Sequence, residues 1–155
     1  MNSSPIISRA RIGQVRLLTT LSSEIIIPQA VNREVLRGAE NDPACRWLQE
    51  EATGYLVDME DLDPRVVKLD LGVGETEVLS FGLTHPGSEI VIDDGIARRH
   101  AKLLGIPFRG TVGIVLLAKQ EGLIPAARPL LEQLHQGGLW LDHDFVERLL
   151  RMVGE

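Results

Sequence analysis

Short aliphatic runs alternate with helix-start signals along most of this chain. The runs at 24–27, 55–57, 89–92 and 106–108 have the length and composition of buried strands. Segments with helical periodicity lie between and after them. Strands that alternate with helices form a parallel sheet covered by helices on both faces. The sequence therefore predicts an α/β fold, with three α/β/α layers around a mainly parallel sheet.

Prolines and aspartates mark where the predicted helices begin. Pro28 suits a first helical position, Asp42 precedes Pro43 as a cap, and Asp93 and Asp94 precede another helical segment. The predicted helices cover residues 28–37, 43–52, 74–84, 94–104, 111–121, 125–136 and 142–153. Residues 137–141 are a candidate edge strand between the last two.

Composition limits the class of protein. With 155 residues and 44% hydrophobic residues, the chain has material for one core, so we expect a single domain over 1–155. Aromatic residues make up only 4%, which argues against an aromatic platform for stacking bases. The longest apolar stretches, such as 113–118, are far shorter than the roughly 18 residues of a membrane span. With the lone Cys45 and no signal-peptide pattern, we expect a cytoplasmic location and no membrane partner.

Charge is distributed unevenly. The net charge of -6 argues against non-specific binding of nucleic acid by the protein as a whole. Residues 50–77 contain nine acidic residues against Arg65 and Lys68, whereas residues 95–120 contain no acid at all. Five basic side chains lie in this second stretch: Arg98, Arg99, Lys102, Arg109 and Lys119. We therefore expect one basic edge on an acidic protein.

Four carboxylates stand where a parallel sheet places its functional residues. Asp93 and Asp94 directly follow the clearest strand, where oxygen ligands suit a hard divalent cation. Asp94 also suits a helix N-cap and Asp93 a turn, and position alone leaves both interpretations open. Glu75 lies in a first helical turn. This position suits either a site at the sheet edge or a favourable interaction with the helix dipole. Glu34 is by itself typical of a solvated helix carboxylate.

Other classes of site leave weaker traces. The Gly72-Val73-Gly74 segment lacks the Gly-Lys-Ser/Thr of a P-loop and the third glycine of a dinucleotide-binding turn. The four histidines and Cys45 show no metal-ligand spacing, and no arrangement of Ser, Cys and His indicates a nucleophilic triad. Nucleotide binding and nucleophilic catalysis are therefore disfavoured.

Five ordered segments together carry a family resemblance: residues 2–7, 27–35, 74–77, 92–99 and 104–119. They read NSSPII, IPQAVNREV, GETE, IDDGIARR and LGIPFRGTVGIVLLAK. The chain resembles the PIN-domain family of metal-dependent nucleases, and is similar to a short prokaryotic subgroup over essentially its whole length. The last segment is more specific to that subgroup than the scattered acids are.

The resemblance implies a negatively charged pocket that holds Mg²⁺ or Mn²⁺ and hydrolyses RNA phosphodiester bonds. In the family's motifs the acids fall on Glu34, Glu75 and Asp93 or Asp94, and these are the predicted catalytic and metal-binding residues. The hydroxyl after the first motif position falls on Ser4, and Thr111 supplies another. Many relatives are toxins of toxin-antitoxin pairs, so the resemblance also implies a small antitoxin partner and a homodimer. Arg98, Arg99 and Lys102 are the candidate contacts to RNA phosphates.

The chain departs from the family at its first motif. Asn2 stands where the family usually has Asp, and a neutral amide binds a divalent ion more weakly than a carboxylate does. The family's usual hydrophobic strand is represented only by Met1, so we expect a truncated first strand or a native start further upstream. The alternative function is a catalytically impaired PIN-like scaffold that binds RNA or a protein. A phospho-accepting regulatory domain using Asp93-Asp94 ranks lower, because no Lys at a later strand end compensates the charge.

Overall fold

Helices and very short strands make up the chain, and the computed structural model describes residues 1–155. The helices are α1 (Ser3–Arg11), α2 (Arg16–Thr20), α3 (Gln29–Leu36), α4 (Pro43–Glu50), α5 (Pro64–Val67), α6 (Val73–Thr84), α7 (Gly95–Leu103), α8 (Thr111–Gln120), α9 (Arg128–Gln136) and α10 (His143–Met152). The strands are β1 (Ile27–Pro28), β2 (Leu56–Val57), β3 (Ile90–Val91) and β4 (Phe108–Arg109). A 3-10 turn covers Thr53–Tyr55.

The four strands form two parallel pairs. Ile27 pairs with Leu56 in the first pair, and Ile90 pairs with Phe108 in the second. The α/β class and the parallel pairing predicted from the sequence are confirmed. The predicted single sheet is instead divided into two sheets of two strands each.

Met1 and Asn2 lie in the gap between the two sheets. The amino group of Met1 donates to the carbonyl oxygen of Ile26 beside β1, at 3.0 Å. The next N–H, that of Asn2, donates to the carbonyl oxygen of Val91 in β3, at 2.9 Å. Successive backbone groups that point to opposite sides are the pattern of a strand between two neighbours. These two residues, hereafter the Met1–Asn2 bridge, make one such contact to each sheet, but they belong to neither sheet and do not join the two into one.

Aspartate caps explain why several helices begin where they do. Asp42 accepts a hydrogen bond from the N–H of Ala44 at 2.9 Å, and Asp142 accepts one from Phe145 at 2.9 Å. Each satisfies a backbone donor that the first helical turn leaves without a partner. The helices predicted from these signals are present, with ends that shift by one to a few residues.

The predicted edge strand at 137–141 is wrong. The N–H of Leu139 donates back to the carbonyl oxygen of Leu134 at 3.0 Å, and Gly138 has a φ of +99°. The segment therefore closes the end of α9, and its leucines pack against the core instead of pairing. Helices α1, α2 and α5 were not predicted.

Two hydrophobic clusters hold the elements together. The larger has 21 buried residues around both sheets, and the smaller has nine, mainly from α8, α9 and Leu150 of α10. Helix α6 packs directly against the β3–β4 pair at Gly82. A methyl group there would come within 2.9 Å of Ile90 and closer still to Ile106, so the absence of a side chain allows this approach. This contact fixes α6 so that its first turn, with Gly74 and Glu75, faces the end of the Met1–Asn2 bridge. None of the ten helices combines the length and apolarity needed to cross a membrane.

Candidate functional site

Three predicted site residues meet at Gly74. The side-chain amide of Asn2 donates to Oε1 of Glu75 at 2.9 Å. A methyl group at Gly74 would lie 2.9 Å from Oε2 of Glu34 and 3.2 Å from Oδ1 of Asn2. The glycine thus leaves room for side-chain oxygens from α3 and from the Met1–Asn2 bridge. We call Asn2, Glu34 and Glu75 the acidic cluster.

The oxygen of Asn2 is the exceptional atom of the acidic cluster. Asn2 is fully buried, and its Oδ1 accepts no hydrogen bond. A buried polar atom without a partner costs about 1–3 kcal/mol, so an unsatisfied oxygen in a native fold requires an explanation. The carboxylates of Glu34 and Glu75, when ionised, have no hydrogen to donate to it. A cation is the partner that would satisfy all three oxygens together.

Asp93 forms a second part of the site with Thr111. Its Oδ1 accepts the backbone N–H of Thr111 at 2.7 Å, and its Oδ2 accepts the hydroxyl of the same residue. Thr111 is buried at the start of α8, where the helix dipole favours a negative charge. Asp93 follows β3 by two residues, and the Asn2 N–H binds the last residue of that strand, so both parts lie at one edge of the structure.

Arg9 supports this second part from inside and was not predicted. It is fully buried in α1, and its Nη2 donates to the carbonyl oxygen of Thr111 at 2.6 Å. Its Nε and Nη1 have no partner. Burial lowers the pKa of Arg9 to about 10, while the charge of Asp93 acts in the opposite direction. A buried cation beside carboxylates reduces their mutual repulsion, but no spacing in the sequence indicates such a long-range pairing.

Glu77 was also not assigned a role, although it lies in one of the recognised segments. It is buried, and its Oε2 accepts the N–H of Ala30 at 3.0 Å, in the first turn of α3. Arg33 lies 3.8 Å from its other oxygen. Glu77 therefore anchors the helix that carries Glu34, and this is a positioning role.

The remaining predicted residues lie nearer the surface. Asp94 caps α7 through hydrogen bonds from Ile96 at 2.9 Å and Ala97 at 2.8 Å, so its carboxylate is already engaged. Its metal-binding role stays a prediction. Ser4 is exposed on α1.

The predicted basic face is present on α7. Arg98, Arg99 and Lys102 are all exposed, and none of them forms an ion pair. The guanidinium of Arg98 lies 5.3 Å from the centre of the Phe108 ring, which holds that side chain beside β4. The three cations are therefore free to contact an anion from solvent.

The donors of the acidic cluster match a hard divalent cation in chemical type. All are oxygens, as Mg²⁺ and Mn²⁺ prefer. No three side chains among His, Cys, Asp and Glu are grouped so as to hold a metal ion. The cluster instead combines two carboxylates with an amide, while Asp93 is bound to Thr111. The residues thus fit a cation site whose first position has a weaker ligand.

A family model described as a PIN domain matches residues 1–155, the whole length of the chain. The chain belongs to the PIN-domain family. PIN domains have a nuclease-type fold and generally use divalent metals, and the resemblance of the five segments is thereby confirmed. No curated protein and no solved structure matches the chain. The PIN assignment therefore rests on the family model together with the parallel strands and the acidic cluster.

Proposed function

We propose that this PIN domain is a metal-dependent endoribonuclease that hydrolyses RNA phosphodiester bonds. The observation that carries the proposal is the buried, unpartnered Oδ1 of Asn2 beside Glu34 and Glu75. Two carboxylates, one exposed and one half-buried, that lie beside a buried and unpartnered amide oxygen are a sensible arrangement when a cation compensates their charge. A bound Mg²⁺ or Mn²⁺ would polarise the phosphate and supply an activated water.

Different residues of the chain would bind the cation and the RNA. Glu34, Glu75 and Asn2 would hold the cation, with Asp93 and Asp94 as further carboxylates at the same edge. Asp93 also accepts both hydrogen bonds from Thr111, which fix the orientation of that carboxylate. Arg98, Arg99 and Lys102 would bind RNA phosphates from the exposed face of α7, and Ser4 supplies an exposed hydroxyl.

Partners belong to the proposal as well. The protein would act as the toxin of a toxin-antitoxin pair. It would bind a small antitoxin protein and would form a homodimer. Large apolar side chains near α10 support a protein contact, because Trp140 is 80% exposed and Met152 is 72% exposed.

Metal binding tests the proposal first. We expect calorimetric titration with Mn²⁺ to give saturable binding, and Glu75→Gln to weaken it by at least about tenfold. Glu121→Gln is the matched control, because it removes an exposed carboxylate outside the acidic cluster. Cleavage of a fluorescent single-stranded RNA should be lost in Glu75→Gln while its melting temperature stays within a few degrees of the parent's.

The competing candidate is a PIN-like scaffold that binds RNA or protein without cleaving. The internal bonds Asn2–Glu75 and Thr111–Asp93 favour it, since they satisfy most polar groups with no ion present. No Mn²⁺ binding at millimolar concentration, with RNA still retained by the basic face of α7, would establish the scaffold. Cleavage that survives Glu75→Gln would instead remove that residue from the site.

A further inference from the structure

Arg9 is the most unusual side chain outside the acidic cluster. Its guanidinium is fully buried, and Nη2 donates to the carbonyl oxygen of Thr111 at 2.6 Å, while Nε and Nη1 form no hydrogen bond. A buried charge is costly unless a charge of opposite sign lies close by. A core position on α1 usually takes an aliphatic residue, as Ile6 does one turn earlier. The charge of Arg9 therefore requires a counter-ion.

Asp93 is the carboxylate that supplies this counter-charge, although the two side chains form no direct ion pair. Thr111 connects them. Arg9 binds the carbonyl oxygen of Thr111, while Asp93 accepts its N–H at 2.7 Å and also its hydroxyl. The charge of Asp93 acts to raise the pKa of Arg9, in opposition to burial. A cation and a carboxylate are thus held against one residue at the start of α8.

The position of Arg9 follows from the sequence of α1. Arg9 comes seven residues after Asn2, the N-cap of this helix, so the two lie on the same side of it, about two turns apart. Helix α1 packs against α8, which begins at Thr111. The same side of α1 therefore places an amide in the acidic cluster and a cation beside the second part of the site.

The charges at this edge of the structure balance with a single divalent ion. Glu34, Glu75 and Asp93, when ionised, supply three negative charges. Arg9 supplies one positive charge, which leaves the two negative charges of the acidic cluster. Asp94 is exposed, and its carboxylate caps α7 through the N–H groups of that helix. One divalent cation at the acidic cluster would therefore complete the neutralisation.

We propose that the guanidinium of Arg9 takes the place of a second metal ion at Asp93, so that this chain binds one divalent cation, at the acidic cluster. In two-metal enzymes a second ion adds positive charge beside the first. Arg9 provides such a charge permanently, because a guanidinium remains protonated at neutral pH. Since it is fully buried, it is a positioning residue that acts through Asp93 and Thr111. The inference rests on the proposed metal binding and adds the number of ions and the residue that limits it.

Two substitutions separate the charge of Arg9 from its bulk. Arg9→Met keeps an unbranched side chain and removes the charge, whereas Arg9→Lys keeps the charge. Loss of the free-ion EPR signal at millimolar Mn²⁺ counts the bound ions. We expect one ion per chain for the parent and for Arg9→Lys, and a second, weaker ion for Arg9→Met. Adding Asp93→Asn to Arg9→Met should remove the second ion and leave the affinity for the first within about threefold of the parent's.

A metal-free measurement tests the pairing of Arg9 with Asp93. Arg9→Met and Asp93→Asn should each destabilise the fold, since each leaves a charge without its partner, and the double variant should recover most of the loss. In urea unfolding with EDTA, we expect the combined effect on the unfolding equilibrium constant to be at least about fivefold smaller than the product of the single effects. Asp94→Asn is the matched control, and its effect should combine multiplicatively with that of Arg9→Met.

The outcomes separate this assignment from the proposed function. Two ions bound by the parent, or one ion bound by both the parent and Arg9→Met, would overturn the assignment and leave the proposed function intact. Independent effects of Arg9→Met and Asp93→Asn would show that Asp93 is not the counter-ion. Absence of Mn²⁺ binding by every variant would overturn the proposed function and the assignment with it.

A variant with Arg9 intact decides the question if Arg9→Met does not fold. Asp93→Asn in the parent should keep the affinity for Mn²⁺ within about threefold, because the ion is held by the acidic cluster. A loss of about tenfold or more would make Asp93 a ligand of the first ion and would contradict the assignment.

Discussion

At the scale of single residues, Asn2 has two roles that use different atoms. Its backbone N–H joins the chain to β3, while its side chain belongs to the acidic cluster. The amide nitrogen can donate to Glu75, which a carboxylate at this position cannot do. Asn2 therefore avoids the charge repulsion with Glu75 that an Asp would create, but its amide oxygen is a weaker cation ligand than a carboxylate.

Replacement of Asn2 by Asp should exchange stability for metal affinity. Without metal, we expect Asn2→Asp to lower the free energy of unfolding by about 2–3 kcal/mol, since a buried carboxylate would face Glu75 with no donor. With Mn²⁺, the variant should bind the ion at least about tenfold more tightly than the parent. Urea unfolding with and without MnCl₂ measures both effects.

The control for this change is Asn32→Asp, at a half-buried position of α3 outside the acidic cluster. It should leave the Mn²⁺ dependence of stability unchanged. If Asn2→Asp and Asn32→Asp respond equally to the metal, then Asn2 does not contact it.

At the scale of elements, the start of α9 is capped from a distance. Its N-cap residue Ala127 has no capping side chain, and the carboxylate of Glu155 accepts the N–H groups of Ala127 at 2.6 Å and Arg128 at 3.2 Å. Burial alone would raise the pKa of the Glu155 carboxyl, but these two hydrogen bonds and the charges of Lys119 and Arg128 together outweigh it, and the pKa is lowered. The segment after α10 is thereby fastened to α9.

This cap predicts a pH-dependent contribution to stability. We expect Glu155→Gln to lower the free energy of unfolding at pH 7 by about 1 kcal/mol, the usual cost of a lost cap. A carboxyl with a lowered folded-state pKa stabilises the fold above its ordinary pKa of 4.5, and this contribution is lost as the pH falls. Parent and variant should therefore converge in urea titrations as the pH falls below 4.5 and through the lowered pKa of the folded state. A difference that persists unchanged to pH 3 would contradict the cap.

The sequence predicts elements well where local chemistry decides them. Asp42 and Asp142 cap their helices through contacts two or three residues away, and such signals are visible in a single chain. The strand prediction for 137–141 is wrong because its leucines pack into the smaller core cluster. The local alternation of apolar residues looks the same whether the side chains belong to a strand or to a loop that packs on the core. Helix α2 has no capping side chain, so no local sequence signal predicts where it begins.

The same limit applies to the site. Glu34 and Glu75 were predicted from their places in helices, and the structure brings both to Gly74. Arg9 and its bond to Thr111 join residues 102 positions apart, and Glu77 anchors Ala30 across 47 positions. Contacts of that range depend on how α1 and α6 pack, which periodicity does not specify.

At the scale of the whole molecule, Cys45 reports on the larger core cluster. The thiol is 2% exposed, donates to the carbonyl oxygen of Val35 at 3.2 Å, and has its pKa raised by burial. Only the thiolate reacts quickly with disulfide reagents, so reaction in the native state requires opening of the core. The lone cysteine is thus an internal probe of global unfolding.

We expect native Cys45 to react with an aromatic disulfide reagent at pH 8 at least about 10³ times more slowly than in urea-unfolded protein. The measurement is the absorbance of the released thiolate. Gln120→Cys in a Cys45→Ala background places a thiol at an exposed position and should react at close to the unfolded rate. Native labelling within tenfold of the unfolded rate would show that the core around α4 opens without global unfolding.

The Met1–Asn2 bridge has a consequence that spans the molecule. Its amino group binds the carbonyl oxygen of Ile26 beside β1, and its side-chain end binds Glu75 of α6, with only one peptide unit between them. Ordering of either end restricts the same few backbone dihedral angles. A change that loosens one of these contacts should therefore also weaken the other, by the same free energy in both directions. Two residues thus link the position of α6 to the edge of β1.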